Sequence, residues 1–111
     1  MQTAVRRWGP AVAWAAVIFA FSSIPSLGTG LGTWDLVLRK IAHAAEFAIL
    51  AILLVRAFGD PWRAGVVAVL YAVVDEIHQS FVPGRQGAVA DVLIDSVGVL
   101  AGVLLAVWWR R

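Results

Sequence analysis

From Trp8 through Trp34 the chain carries not one charged side chain. A spanning helix needs about 20 predominantly apolar residues, and a chain of 111 residues has too little interior to hide such a run. Hydrophobic residues make up 61% of the sequence, against about 45–50% apolar in a soluble domain. Mean hydropathy is +0.85. The bilayer is the natural solvent for this chain.

Four apolar segments are legible, about Trp8 to Ile24, Leu36 to Phe58, Ala64 to Val82 and Asp91 to Trp109. The breakers "IPSLGTGLGT", "GDP" and "VPGRQG" separate them. The expected fold is all-α: a polytopic membrane protein with four transmembrane helices in an up-down bundle, residues 1–111 forming one domain. "RRWGPAVAWAAVIFAF" has the charged start and apolar middle of a signal peptide. No small-x-small cleavage site follows it, so it is read as a retained span. The glycines of "LGTGLGT" are not followed by the Lys-Ser/Thr pair of a phosphate-binding loop, and the stretch is read as a connection.

There is no cysteine, which excludes disulfides and thiolate chemistry. Nine Lys/Arg stand against seven Asp/Glu. The cations lie at segment ends rather than in a stripe, which speaks for membrane orientation and against a nucleic-acid partner. With the N-terminus inside, the inner face holds Arg6, Arg7, Arg56, Arg63, Arg110 and Arg111. The outer face holds Arg39, Lys40 and Arg85. The positive-inside rule then puts both termini in the cytoplasm of a multi-pass plasma-membrane protein.

In such a bundle the polar groups gather at the outer half. Ser22 and Ser23 end the first helix, Lys40, His43 and Glu46 begin the second, "DEIHQ" (Asp75–Gln79) ends the third, and Arg85, Asp91 and Asp95 open the fourth. At 100° per residue, Asp75, His78 and Gln79 share an arc of about 100°, with Glu76 to one side. Asp91, Asp95, Gly98 and Gly102 fall within about 60°, two carboxylates above a small-xxx-small contact. An ionisable group at the centre of a span costs at least about 2.5–3.5 kcal/mol. Glu46 and Asp95 are therefore hard to explain without a site. Five carboxylates beside Lys40 and Arg85 are not expected all to stay ionised in a low dielectric, so either protons are shared or His43 or His78 is charged.

Candidate catalytic residues are His43, Glu46, Asp75, His78 and Asp91. Lys40, Gln79, Arg85 and Asp95 are candidates for substrate binding, and Glu76, Gly84, Gly98 and Gly102 for structural roles. "HAAE" and "DEIH" each set a His and a carboxylate at i, i+3, the spacing of carboxylate-bridged metal bundles. Lys40 and Arg85 close by would repel a divalent ion and "HExxH" is absent, so no cofactor is expected, with a divalent metal as the lesser alternative. No Ser-His-Asp order or nucleophile elbow marks a serine nucleophile.

"RKIAHAAEFAIL" followed by "DEIHQSFVPGRQGAVADVLIDSVGVLAG" resembles the VanZ-like family, small bacterial membrane proteins named for a teicoplanin-resistance protein. The family pattern falls on Lys40, His43, Glu46, Asp75, Glu76, His78, Gln79, Gly84, Arg85, Asp91, Asp95 and Gly98, and "FSSIPS" matches the end of its first helix. Asp95 stands where the family commonly has Asn. The resemblance implies a link to glycopeptide resistance for some members. Three functions remain open from the residues: a membrane enzyme acting on a lipid-linked or cell-wall precursor, a non-enzymatic binder of a lipid head-group or amphiphilic antibiotic, and a proton-coupled transporter, which would need an oligomer. In the first, Lys40 and Arg85 hold an anionic group, while His43 or His78 moves a proton oriented by Asp75 or Glu46.

Overall fold

The computed structural model describes residues 2–23, 33–81 and 89–110. These residues form four helices and no strand: α1 (Gln2–Ser22), α2 (Thr33–Phe58), α3 (Pro61–Ser80) and α4 (Val89–Arg110). The expected segments lie on these helices, but local chemistry rather than hydrophobicity sets their ends. α1 begins at Gln2 and takes Arg6 and Arg7 into the helix. α3 begins at Pro61, three residues before Ala64, because Asp60 caps it. Asp60 is extended (φ −141°, ψ 115°) and its Oδ1 accepts the Trp62 N–H at 3.0 Å, with Pro61 at the first helical position. Just before it, Gly59 at φ +71° ends α2 and donates its N–H to Val55 O at 2.8 Å.

Pro10 inside α1 has no N–H for the carbonyl of Arg6, four residues back. That carbonyl instead accepts from Arg56 Nη2 at 3.0 Å. Arg7 Nε likewise donates to Ala57 O, one of the orphan carbonyls at the end of α2. Two arginines thus tie the start of α1 to the end of α2.

The helices alternate in direction. α2 and α4 run parallel in close contact, with Gly98 over Ala44 and Gly102 over Ala48. α1 runs antiparallel to α2, with Trp14 opposite Glu46, and parallel to α3, with Ala15 opposite Tyr71. α2 and α3 touch every other helix; α4 fills the groove on one side of the pair and α1 lies on the other. Among the described residues α1 and α4 do not meet. The core is Ile18, Phe47, Leu50, Leu54, Val55 and Val99 with a row of alanines, Ala64, Ala68 and Ala72, along α3.

The polarity is inverted relative to a soluble domain. The buried face of α3 is three alanines followed by Asp75, Glu76 and Gln79. Its outside is Val66, Leu70, Val74 and Ile77, all exposed. Such an apolar exterior is rare in soluble monomers. Two helices are long and apolar enough to cross a membrane, over Val37–Phe58 and Asp91–Trp109, with mean hydropathies of 1.9 and 2.1. α1 and α3 fall short of that description. α3 does so because Arg63, Asp75 and Glu76 lie within its 20 residues.

Candidate functional site

His43 sits at the centre of the polar end. It is reached from α2 and held from both sides: Nδ1 is 2.7 Å from Asp95 Oδ1 on α4, and Nε2 is 3.0 Å from Asp75 Oδ2 on α3. Both aspartates are buried, each 1% exposed. Phe47, one turn along α2, lies against the imidazole with ring centroids 5.3 Å apart. Gln79 Nε2 completes the group, 3.0 Å from Asp75 Oδ2 and 3.1 Å from His43 Nε2.

This geometry provides one defined seat for a proton. With the ring neutral and Nδ1–H donating to Asp95, the two hydrogens of the Gln79 amide serve Asp75 and the bare Nε2. When Nε2 takes a proton, the N–H is already 3.0 Å from Asp75 Oδ2. The ring then lies between two carboxylates, the arrangement that best offsets the cost of a buried charge.

The register that builds this clamp comes from glycine. A Cβ at Gly98 would stand 2.9 Å from the Ala44 carbonyl carbon, and one at Gly102 would stand 2.9 Å from that of Ala48. Only glycine lets the two backbones approach so closely. The contact aligns Asp95 with His43 and, a turn nearer the end, Asp91 with Lys40, whose Nζ is 2.9 Å from Asp91 Oδ1. Lys40, expected to hold an anionic group, is therefore already engaged by a carboxylate. An incoming anion has to compete with Asp91.

A second polar pair lies on the α1 side. His78 is half-buried, stacked on Phe19 with centroids 4.2 Å apart and planes 20° from parallel. Its Nε2 is 2.9 Å from Ser23 Oγ, which also lies 2.9 Å from Phe19 O. His78 thus parts from Asp75 and Gln79, while Glu76, expected to one side, joins the buried face at 7% exposure. Glu46 is half-buried, and its backbone carbonyl accepts from Trp14 Nε1 at 2.8 Å. Gly84, Arg85 and the side chain of Ser22 lie outside the described residues.

A family model described as VanZ/LLP1 matches residues 3–110, nearly the whole chain. The chain belongs to that family. No curated protein and no solved structure matches it significantly. In this VanZ/LLP1 chain, the family-pattern residues His43, Asp75, Gln79 and Asp95 form one hydrogen-bonded cluster, Lys40 and Asp91 form a separate ion pair a turn away, and Gly98 sets the spacing of both.

Ser23, placed at the polar end from sequence, partners His78. Three participants were not singled out: Phe19 stacks on His78, and Trp14 and Tyr71 fasten α1 to α2 and α3 through backbone carbonyls. An aromatic ring in an apolar run gives no sequence signal of such a role. His43, Asp75 and Asp95 also offer ligand atoms within 4.8 Å of one another. The two aspartates, however, meet opposite ring nitrogens. A cation bound through one nitrogen would face one of those aspartates and break the hydrogen bond there.

Proposed function

We propose that this VanZ/LLP1 chain is a four-span plasma-membrane protein whose polar end, in the outer half of the bilayer, acts on a lipid-linked or cell-envelope anionic substrate. The observation that carries the reading is the proton seat on His43 between Asp75 and Asp95. Support for four spans comes from the aliphatic exterior of α3 and from the exposed Val12, Phe19 and Phe21 of α1. The 20 residues of α3 make about 30 Å of helix, which matches the hydrocarbon core. The arginine bias favours cytoplasmic termini and hence an outward site. His43 stores the proton in this scheme and His78, at the less buried edge beside Ser23, exchanges it with substrate. The family resemblance makes teicoplanin the first compound to test.

A second reading is favoured by the Lys40–Asp91 pair. Charges that already neutralise one another make a preformed polar wall, as a non-enzymatic binder of a lipid head-group or amphiphilic antibiotic would use. The two readings separate by substitution in cells matched for membrane level. For an enzyme, His78→Asn abolishes protection against teicoplanin while membranes bind the compound normally. For a binder, protection and binding fall together and follow Lys40→Gln and Arg85→Gln. No protection by the wild type would cut the link to glycopeptide resistance. Orientation is tested with Gly30→Cys, the only thiol in such a chain. An impermeant maleimide should label it in intact cells, and labelling only after lysis would reverse the topology.

A further inference from the structure

At the opposite end from the clamp, a groove runs along α2 and α4. Their backbones touch along Gly98–Gly102 and Ala44–Ala48. The next positions on these stripes are Ala106 on α4 and Ile52 on α2, followed by Arg56 and the two terminal tryptophans. The groove there measures about 740 Å³ and is lined by Ile52, Val55, Arg56, Leu105, Ala106 and Trp109. Arg56 is the one charged side chain among its described lining residues.

We propose that this groove holds an acyl chain of an anionic phospholipid of the cytoplasmic leaflet, with the lipid phosphate at Arg56. The dimensions suit one leaflet. From Ile52 to Gly59 the wall rises about 10 Å at 1.5 Å per residue, within the roughly 15 Å that is half of a 30 Å hydrocarbon core. Trp108 and Trp109, 67% and 82% exposed, stand at the same end, where indole rings favour the interface.

Charge selects the head-group. Arg6, Arg7, Arg56 and Arg63 gather at this end, and Asp60, 3.6 Å from Arg63, is the only carboxylate beside them among the described residues. The bond from Arg56 Nη2 to Arg6 O anchors its guanidinium beside the groove. A guanidinium offers five N–H donors, so others remain for phosphate oxygens. Nothing in this site draws on the His43 clamp.

The inference rests on the spanning arrangement proposed above. Detergent-purified protein is titrated with phosphatidylglycerol or phosphatidylcholine, and retained lipid is counted by native mass spectrometry. The wild type should retain the anionic lipid about fivefold better, the preference expected of one cation for a lipid of net negative charge over phosphatidylcholine, whose choline cancels the charge of its phosphate. Arg56→Gln should bring the two lipids level, and Ala106→Phe, which fills the groove, should lower retention of both. An unchanged preference in Arg56→Gln would overturn the proposal, as would full retention in Ala106→Phe. A wild-type dimer that excludes lipid would also overturn it, by giving the groove to a second copy. Arg56 is exposed, so its variant keeps the test decisive if Ala106→Phe fails to fold. Failure of the spanning reading has a different signature: the protein would leave the membrane fraction on alkaline washing before any lipid is measured.

Discussion

Adding one methyl group at Gly98 tests whether the clamp depends on backbone contact between α2 and α4. The new Cβ would stand 2.9 Å from the carbonyl carbon of Ala44 and 3.0 Å from its Cα, with the carbonyl oxygen nearer still. Carbon atoms rest at about 3.5–4.0 Å from one another, so α4 has to withdraw by about 0.6–1.1 Å. The His43–Asp95 bond, 2.7 Å long, then stretches to about 3.3–3.8 Å, past the usual limit near 3.2 Å. Overpacking costs about 1–3 kcal/mol and a stranded buried acceptor about 1–3 kcal/mol more. For a domain near this size, about 4–8 °C is lost per kcal/mol. Gly98→Ala should therefore lower the melting temperature in detergent, followed by tryptophan fluorescence, by about 8 °C or more. Much of that loss should vanish in an Asp95→Ala background, where the bond is already gone. A melting temperature within about 2 °C of wild type would refute the reasoning, because the helices would then have slack. Additivity of the two substitutions within about 0.5 kcal/mol would show that the clamp is not what Gly98 protects.

Other substitutions probe the remaining supports. His43→Ala leaves Asp75 and Asp95 buried without their shared partner, which should cost about 3–5 kcal/mol. Asp95→Asn keeps an acceptor for Nδ1–H and should stay within about 1 kcal/mol of wild type; thermal melts giving the reverse order would remove the clamp as the organising element. Tyr71→Phe deletes the hydroxyl that donates to Ala15 O at 2.5 Å and should cost about 0.5–1.5 kcal/mol. Hydrogen exchange should quicken in α1 and not in α4. Asp60→Ala removes the cap on Trp62 N and should cost about 1 kcal/mol, with Asp60→Asn recovering most of it.

Much of this end of the molecule is legible in the sequence, because a charge within an apolar segment is expensive enough to mark itself. The meeting of His43, Asp75 and Asp95 follows from placing polar residues of alternating helices at one end. The choice between Glu76 and His78 does not follow. Asp75 and Gln79 share an arc of about 100° with either residue, and the tie is broken by where α2, α4 and α1 pack. The Lys40–Asp91 pair was equally hidden, since it depends on the α2–α4 register set by Gly98 against Ala44. The "small-xxx-small" stripe announces a contact but not its partner. Helix ends escaped for a different reason. Gly59 ends α2 through a positive φ and Asp60 starts α3 as its cap, and hydropathy carries no trace of either.

Because the clamp draws on three helices, it also bears on how the protein is made. Synthesis delivers α2 and α3 first, and with them His43, Asp75 and Glu76. If the four helices span as proposed, the side of this hairpin that α4 will cover faces lipid until α4 arrives, where ionisable groups cost at least about 2.5–3.5 kcal/mol each. Asp95 and the glycines three and seven residues beyond it then supply the missing acceptor and the close fit together. α4 is in this sense a latch on biogenesis. On the spanning arrangement proposed above, a chain cut short before Val89 would leave His43, beside Asp75, without the acceptor that Asp95 supplies.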